Sequence, residues 1–224
     1  MDTTTVSKEE VMRIAGLGGV VVVIRLDDLS KAAGLTRALL DAGITALEFT
    51  MTNPQALQVL TEIKAAFTEF GEGKAVIGAG TVLTPEDARA AIAAGAQFVV
   101  TPVSNFDTIK VCTGAGIPIV PGALTPTEIL NAWNAGASAI KVFPARAFGP
   151  AYFKDLREPL PFLKLIPTGG VSLDNAAEFV KNGAIAVGVG GNLVDKKLVA
   201  AGDWTAIRQK AAAYIEQVRS GRGV

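Results

Sequence analysis

Histidine is absent from this 224-residue chain, and cysteine occurs only once, at Cys112. Without histidine the chain lacks the commonest metal ligand and the commonest general base. We therefore expect neither a zinc centre nor another cofactor. Any proton transfer must fall to carboxylates, lysine, tyrosine or water. A single cysteine also excludes a disulfide framework within the chain.

An excess of one charge and a long apolar run are also missing. Lys plus Arg and Asp plus Glu number 21 each, so nothing indicates nucleic acid or an anionic membrane as a partner. The apolar run at 18–24 is too short to span a bilayer, and the first ten residues lack a signal-peptide pattern. We expect a cytoplasmic protein, and an apolar content of 50% predicts a large core.

The chain does contain eight short apolar runs separated by amphipathic stretches. Such near-continuous runs are typical of parallel strands covered on both faces. The predicted strands are 20–25, 46–50, 75–79, 98–101, 118–120, 139–143, 165–168 and 185–189. Helices are predicted at 6–17, 29–42, 54–67, 85–94, 127–135, 175–182 and 204–219.

Eight strand–helix units of about 28 residues each fit a (β/α)₈ TIM barrel of the α/β class. No linker or low-complexity segment divides the sequence, so one domain over residues 1–224 is predicted. The stretch at 6–17 would be an extra N-terminal helix before the first strand. An open doubly wound sheet is the structural alternative.

Lys141 stands in the middle of an apolar run at 137–144. A lysine in such a strand is buried or faces a cavity, where desolvation lowers its pKa. The resulting neutral amine could attack a carbonyl carbon and form a Schiff base. The alternative is a lysine whose ammonium group reaches the surface or pairs with a carboxylate.

Active groups of TIM barrels gather at the C-terminal ends of the strands. Polar or aromatic candidates at these ends are Arg25, Glu48, Thr81, Pro102, Phe143 and Thr168. If Lys141 points into the barrel, strand alternation turns Ile140 and Val142 toward the helices. Glu48 is the best proton shuttle in a chain without histidine, whereas a buried ion pair with Lys141 is the structural alternative.

Two glycine clusters follow the predicted seventh and eighth strands, at 167–171 and 188–192. Glycine lets backbone N–H groups approach an anion closely, and loops at these two positions frequently bind phosphate in TIM barrels. The sequence therefore predicts a phosphate site, with tight turns as the alternative. Its residues would be Gly169, Gly170, Gly190, Gly191 and Asn192, with Asn192 also capping the next helix.

Two further features are interpreted as structural. The segment at 78–82 lacks the full dinucleotide-binding spacing, so we interpret it as a close-approach turn at the barrel mouth. Arg146 and Lys154 are predicted to be surface residues.

Several segments, taken together and in this order, resemble the 2-keto-3-deoxy-6-phosphogluconate aldolase family. They are Leu47-Glu-Phe-Thr50, Ile77-Gly-Ala-Gly-Thr-Val82, Thr101-Pro102, Pro121-Gly122, Thr125-Pro-Thr-Glu128, Ile140-Lys-Val-Phe-Pro144, Pro167-Thr-Gly-Gly-Val171 and Val189-Gly-Gly191. The resemblance implies a metal-independent lysine Schiff-base enzyme that is typically a homotrimer. It places the Schiff base at Lys141, the acid/base group at Glu48 and phosphate at the glycine loops. The implied partners are a small 2-keto acid and a phosphorylated aldehyde.

The chain departs from the family pattern in three places. Thr52 stands where some members carry an arginine for the substrate carboxylate, and Arg25 could replace that arginine. Asn192 stands where some members have serine. The segment at 143–150 looks like that of galactonate-type relatives.

Other functions therefore remain open. The chain could be an aldolase for the galactonate epimer or for 4-hydroxy-2-oxoglutarate. It could also be a phosphosugar isomerase or synthase, or a non-catalytic sugar-phosphate binding protein.

Overall fold

Strands and helices alternate along the chain in the computed structural model, which describes residues 7–223. The strands are β1 (Val20–Ile24), β2 (Ala46–Thr50), β3 (Val76–Gly80), β4 (Phe98–Val100), β5 (Ile119–Val120), β6 (Gly122–Ala123), β7 (Ile140–Val142), β8 (Leu165–Pro167) and β9 (Val187–Val189). The helices are α1 (Lys8–Gly18), α2 (Ala32–Asp41), α3 (Ala56–Ala66), α4 (Pro85–Ala93), α5 (Phe106–Gly114), α6 (Pro126–Asn134), α7 (Ala151–Arg157), α8 (Ala176–Lys181), α9 (Lys196–Ala201) and α10 (Trp204–Arg222). Short 3₁₀ turns span Thr68–Phe70 and Ala145–Ala147.

The strands close into a barrel. Six of them pair in the order β5-β4-β3-β2-β1-β9, and three pair in the order β6-β7-β8. The strands β5 and β6 are one strand interrupted at Pro121, which has no N–H to donate but accepts a hydrogen bond from the Lys141 N–H at 2.9 Å. Parallel bridges from Leu165 to Ala184 and from Thr168 to Gly188 join β8 to β9. The (β/α)₈ prediction is confirmed, and the open sheet is excluded.

The apolar side chains form two layers because alternate residues of each strand face opposite sides. The outer layer lies between strands and helices and includes Leu47, Phe49, Ile140 and Val142, as the alternation argument predicts. The inner layer fills the barrel with residues such as Val21, Val76, Phe98 and Ile166.

The extra N-terminal helix α1 closes the bottom of the barrel. Its residues Val11, Ile14 and Ala15 belong to the inner core. The carbonyl of Ile14 accepts a hydrogen bond at 2.8 Å from the Oγ1 hydroxyl of Thr45, just before β2. The sequence prediction started this helix at Val6, which lies outside the described residues. The extent of the predicted domain, 1–224, stays a prediction for the same reason.

N-cap residues that can be recognised in the sequence determine where two of the helices begin. At the start of α4, the Thr84 side chain accepts a hydrogen bond from the backbone N–H of Asp87, and the Asp87 carboxylate accepts one from the backbone N–H of Thr84. Thr125 and Glu128 form the same pair of hydrogen bonds at the start of α6. Such capping boxes, with proline in the first turn, satisfy N–H groups that the helix leaves unpaired. Within residues 7–223, no helix has the length and apolarity needed to cross a membrane.

Candidate active site

Lys141 and Glu48 are buried inside the barrel, with 3% and 2% of their surfaces exposed. Both line a cavity of about 20 Å³ whose other walls are mainly apolar and include Val11 and Met12 of α1. We call it the lower cavity. A space of this volume holds about one water molecule.

The carboxyl group of Glu48 is not satisfied by a structural partner. Its Oε1 atom is buried and has no hydrogen-bond partner within residues 7–223. Burial raises the pKa of Glu48, while the nearby charges of Lys141 and Arg25 oppose that rise. Within the same residues no ion pair joins Glu48 to Lys141, which argues against a purely structural salt bridge. The amine of Lys141 and the carboxyl group of Glu48, whose pKa is raised by burial, therefore line one small cavity.

The glycines of β3 make room for the Glu48 side chain. A Cβ atom on Gly80 would lie 1.8 Å from Glu48 Oε1, and one on Gly78 would lie 2.6 Å from the ring of Phe98. The interpretation of 78–82 as a turn is wrong at its first three residues, because Gly78, Ala79 and Gly80 lie in β3. These glycines allow close packing inside the barrel.

A larger pocket of about 340 Å³ opens directly above the lower cavity. We call it the main pocket. Lys141, Thr168 and Gly188 line both spaces, so the amine stands at the boundary between them. The main pocket is also lined by Arg25, at the end of β1, and by Phe143, whose ring centroid lies 5.1 Å from the Lys141 Nζ atom.

Both glycine clusters line the main pocket. The first glycine loop is Gly169–Gly170, and the second is Gly190–Gly191. Within residues 7–223, the backbone N–H groups of Gly170, Gly191 and Asn192 donate no hydrogen bond. A Cβ on Gly191 would meet nothing within 4 Å, so open space adjoins the second glycine loop. Unpaired N–H groups next to open space are suited to binding an anion.

Asn192 joins the two loops, because its Nδ2 donates a hydrogen bond at 2.7 Å to the carbonyl oxygen of Val171. The prediction that Asn192 caps the next helix is wrong, since α9 is capped by the side chain of Asp195. At least one amide hydrogen of Asn192 is thus engaged in holding the first loop. The backbone N–H of Asn192 remains for a ligand.

The other predicted substrate-binding residues do not line the main pocket. Thr52 and Thr81 are not among the residues that line the main pocket or the lower cavity. The Thr52 hydroxyl lies 2.9 Å from that of Thr50. Thr81 follows β3 with a φ of 58°, a value that is rare for a β-branched residue and typical of functional sites. Pro102 lines a neighbouring groove that shares Phe143 with the main pocket.

Arg146 is the residue that the sequence interpretation missed. It was predicted to be a surface residue, and its side chain is exposed, but it also lines the main pocket. A signal was available, because Arg146 lies in the turn after the C-terminal end of β7, where TIM barrels place their functional groups.

The fold and the site together define a class of enzyme. A TIM barrel with a buried lysine and carboxyl group at its centre, below a pocket lined by two glycine loops and basic side chains, is suited to carbonyl addition and proton transfer on an anionic substrate. This is the arrangement expected of a Schiff-base lyase.

The chain belongs to the KDPG and KHG aldolase family, whose model matches residues 9–210. It is 37% identical over 189 residues to a 2-dehydro-3-deoxy-phosphogluconate aldolase of Treponema pallidum (strain Nichols), covering 84% of this chain and 88% of the relative. It is 35% identical over 200 residues to a 2-dehydro-3-deoxy-6-phosphogalactonate aldolase of Escherichia coli (strain K12), covering 89% and 94%. The family recognition and the enzyme class drawn from the sequence are confirmed.

A solved structure supports the same conclusion. It is a KDPG aldolase from Legionella pneumophila with pyruvate captured as a covalent carbinolamine intermediate, and it is 28% identical with a TM-score of 0.80. The match covers 89% of this chain and 96% of that chain. A covalent pyruvate adduct in that relative agrees with the Schiff-base chemistry of the family.

Proposed function

We propose that the chain cleaves 2-keto-3-deoxy-6-phosphogluconate reversibly to pyruvate and glyceraldehyde 3-phosphate, with Lys141 as the covalent residue. The observation that carries this proposal is the placement of Lys141. Its amine lies between the lower cavity, which holds the carboxyl group of Glu48, and the main pocket, which is lined by both glycine loops. A keto group at the amine and a phosphate at the loops would occupy the two ends of one pocket.

The reaction begins when the Lys141 amine attacks the C2 ketone and forms a carbinolamine. Loss of water gives an iminium, which later accepts electrons from the breaking C3–C4 bond. Glu48 assists the proton transfers and removes the proton of the C4 hydroxyl, directly or through a water molecule. The aldehyde leaves, and the remaining enamine takes a proton at C3. Hydrolysis of the new iminium then releases pyruvate and regenerates the amine.

The remaining roles follow from the groups that line the pocket. Arg25 binds the substrate carboxylate, because a guanidinium makes a bidentate, charge-assisted contact. Phe143 packs against the pyruvyl part, and Thr168 hydrogen-bonds an oxygen of the substrate. Thr81, Thr52 and Pro102 would contact the substrate from outside the lining of the main pocket. Gly169, Gly170, Gly190, Gly191 and the Asn192 backbone hold the phosphate.

A second candidate substrate is the C4 epimer, 2-keto-3-deoxy-6-phosphogalactonate. The 35% identity to the Escherichia coli phosphogalactonate aldolase favours it, as does the segment at 143–150. The unphosphorylated 4-hydroxy-2-oxoglutarate is the third candidate. A comparison of kcat/KM for the three compounds decides among them, and the proposed substrate should have the highest value.

We also propose a cytoplasmic homotrimer. Four large apolar side chains are exposed in the segments that follow β3, β4 and β7, with Leu83, Val103 and Phe148 outside the helices and Phe106 at the start of α5. Apolar side chains grouped at one end of a barrel are suited to a subunit interface. A phosphorylated substrate, which does not cross membranes freely, supports the compartment. Sedimentation of the purified chain tests the trimer, and a monomer at micromolar concentration would contradict it.

Reductive trapping tests the covalent residue. Incubation with pyruvate and borohydride should add one pyruvyl-derived mass per chain, on the peptide that contains Lys141. Lys141→Ala should lose both labelling and cleavage. Lys141→Arg should also be inactive, because arginine stays protonated and cannot form the imine. Lys154→Ala is the matched control, since Lys154 is exposed on α7, and it should be labelled normally.

Two outcomes would overturn the mechanism. One is labelling of a lysine other than Lys141. The other is loss of wild-type activity in the presence of a chelator, because the proposed chemistry uses the iminium and no metal ion.

A further inference from the structure

Arg146 is held firmly against the first glycine loop. It lies in the 3₁₀ turn Ala145–Ala147, and two backbone hydrogen bonds fasten this turn to the loop after β8. The Ala145 N–H donates to the Thr168 carbonyl at 2.8 Å, and the Arg146 N–H donates to the Gly169 carbonyl at 2.9 Å. The start of the Arg146 side chain is therefore fixed, although its end is exposed.

The contact between Arg146 and Gly170 shows how close the side chain comes to the loop. A Cβ atom on Gly170 would lie only 2.5 Å from the Cβ of Arg146. The absence of a side chain at Gly170, which has a φ of 98°, is what lets the arginine pass directly over the loop. The Cβ and Cγ atoms of Arg146 thus lie beside Gly170, whose N–H group is unpaired within residues 7–223.

The charges around the main pocket have one sign. Its lining contains three basic side chains, Arg25, Lys141 and Arg146, and no acidic one. Within residues 7–223, no ion pair involves Arg146. A site lined only by basic groups attracts an anion. In the proposed reaction Lys141 becomes the imine and Arg25 takes the carboxylate, so Arg146 is left for the second anionic end of the substrate.

We propose that Arg146 is a specificity-determining residue that selects phosphorylated over unphosphorylated 2-keto-3-deoxy acids. This inference rests on the proposed function. The glycine N–H groups are neutral donors that any oxygen could accept from, whereas a guanidinium forms charge-assisted bidentate bonds to a phosphate. Arg146 supplies the discrimination between a phosphate and a hydroxyl group at the same place. In the alternative role, Arg146 is a surface cation that attracts every anion electrostatically and makes no direct contact with the phosphate.

The test compares Arg146→Gln with the wild type on 2-keto-3-deoxy-6-phosphogluconate and on the same compound without its phosphate. The ratio of the two kcat/KM values, phosphorylated over unphosphorylated, should fall by about 10- to 100-fold, the range for a lost hydrogen bond to a charged group. The change should appear mainly in KM for the phosphorylated compound. Arg146→Lys should recover only part of it, because lysine lacks the planar fork.

Lys154→Gln is the matched control, because it removes an exposed positive charge from the same strand–helix unit outside the pocket. It should leave the substrate ratio within about twofold of the wild type, as expected for a distant, exposed charge. An equal fall of the substrate ratio in Lys154→Gln would mean that Arg146 attracts anions only through its positive charge. Full recovery of the ratio in Arg146→Lys would mean the same, and either result would overturn the inference.

A second measurement tests phosphate binding without the phosphorylated substrate. Inorganic phosphate should inhibit wild-type cleavage of the unphosphorylated compound, and Arg146→Gln should raise its inhibition constant by about 10-fold or more. An unchanged inhibition constant or an unchanged substrate ratio would refute the role of Arg146. Failure of wild-type Lys141 to trap pyruvate would instead refute the proposed function, so the two failures are distinguishable.

Discussion

Gly80→Ala tests whether the position of the Glu48 carboxyl group controls the reaction. The added Cβ would lie 1.8 Å from Glu48 Oε1. Non-bonded atoms settle about 3.5 Å apart, so the carboxyl group must retreat by more than about 1 Å. The backbone itself accepts alanine, since Gly80 does not have a positive φ. The substitution therefore moves the proposed acid/base group without removing it.

The expected loss follows from that displacement. A misplacement of about 1 Å at a catalytic group costs roughly 10²-fold in rate, so kcat for aldol cleavage should fall by at least that factor. Overpacking in a filled barrel costs about 1–3 kcal/mol of unfolding free energy. For a chain of this size the midpoint of thermal unfolding should drop by about 2–12 °C, which leaves the protein folded at the temperature of the assay.

The assay is steady-state cleavage with aldehyde detection, together with pyruvate–borohydride trapping on Lys141 at long incubation times. Gly114→Ala is the matched control, because a Cβ there meets nothing within 4 Å, and its kcat should not change. In a Glu48→Gln background, Gly80→Ala should add less than about a tenfold further loss, since coupled residues are not additive. Wild-type kcat in a folded Gly80→Ala protein would refute the reasoning.

The remaining predictions concern the same site. Glu48→Gln should lower kcat by about 10²–10⁴-fold while Lys141 still traps pyruvate, and near-normal turnover would remove Glu48 from the mechanism. Burial raises the pKa of Glu48, so the folded wild type keeps a proton that the unfolded chain releases, and wild-type stability falls as pH rises. The thermal stability of Glu48→Gln relative to the wild type should therefore increase as the pH rises above about 4, the usual pKa of a glutamate in an unfolded chain, and a constant difference would contradict this. Arg25→Lys should raise KM for pyruvate and for the full substrate, and an unchanged KM for pyruvate would assign the carboxylate to threonine and backbone groups. Gly191→Asp should reduce kcat/KM for the phosphorylated substrate far more than pyruvate exchange, whereas equal losses would make the loops simple turns. Gly170→Asp should act in the same direction, but it is a less clean probe because its Cβ would meet Arg146.

The strands could be predicted from the sequence because each is buried on both faces, and continuous apolar runs follow directly from that environment. The second half of the fifth strand, β6, was missed, because Pro121 and Gly122 are residues that a strand seldom contains. Glycine is needed at 122 because a Cβ there would lie 2.2 Å from the Pro102 carbonyl oxygen. That contact joins distant parts of the chain and leaves no local pattern.

Two helices of seven or more residues were also missing from the predicted ranges. The helix α5 (Phe106–Gly114) contains four β-branched residues, which have low helix propensity, although Asn105 offered a capping signal. The helix α7 (Ala151–Arg157) has only seven residues, which is too short for a clear periodic pattern. In both cases packing against the barrel decides the conformation.

The candidate site was predictable where chemistry and strand position coincide, as at Lys141 and Glu48. A charged residue inside an apolar run is conspicuous in any sequence. Arg146 was not recognised because its position depends on two backbone hydrogen bonds to residues more than twenty positions away. The engagement of Asn192 with Val171 is likewise a contact between two loops, and only the folded chain brings them together.

Because α1 closes the bottom of the barrel, the residues that surround the Glu48 carboxyl group are separate from the loops that would recognise the substrate. Residues Val11, Met12 and Ala15 line the lower cavity from below and have no route to the substrate except through it. Larger or more polar side chains at these positions would change the dielectric environment of the Glu48 carboxyl group. They would leave the two glycine loops unaltered. Variants at these α1 positions would thus change the pH optimum of the reaction. Variants in the two glycine loops, at the opposite end of the barrel, would change the range of substrates.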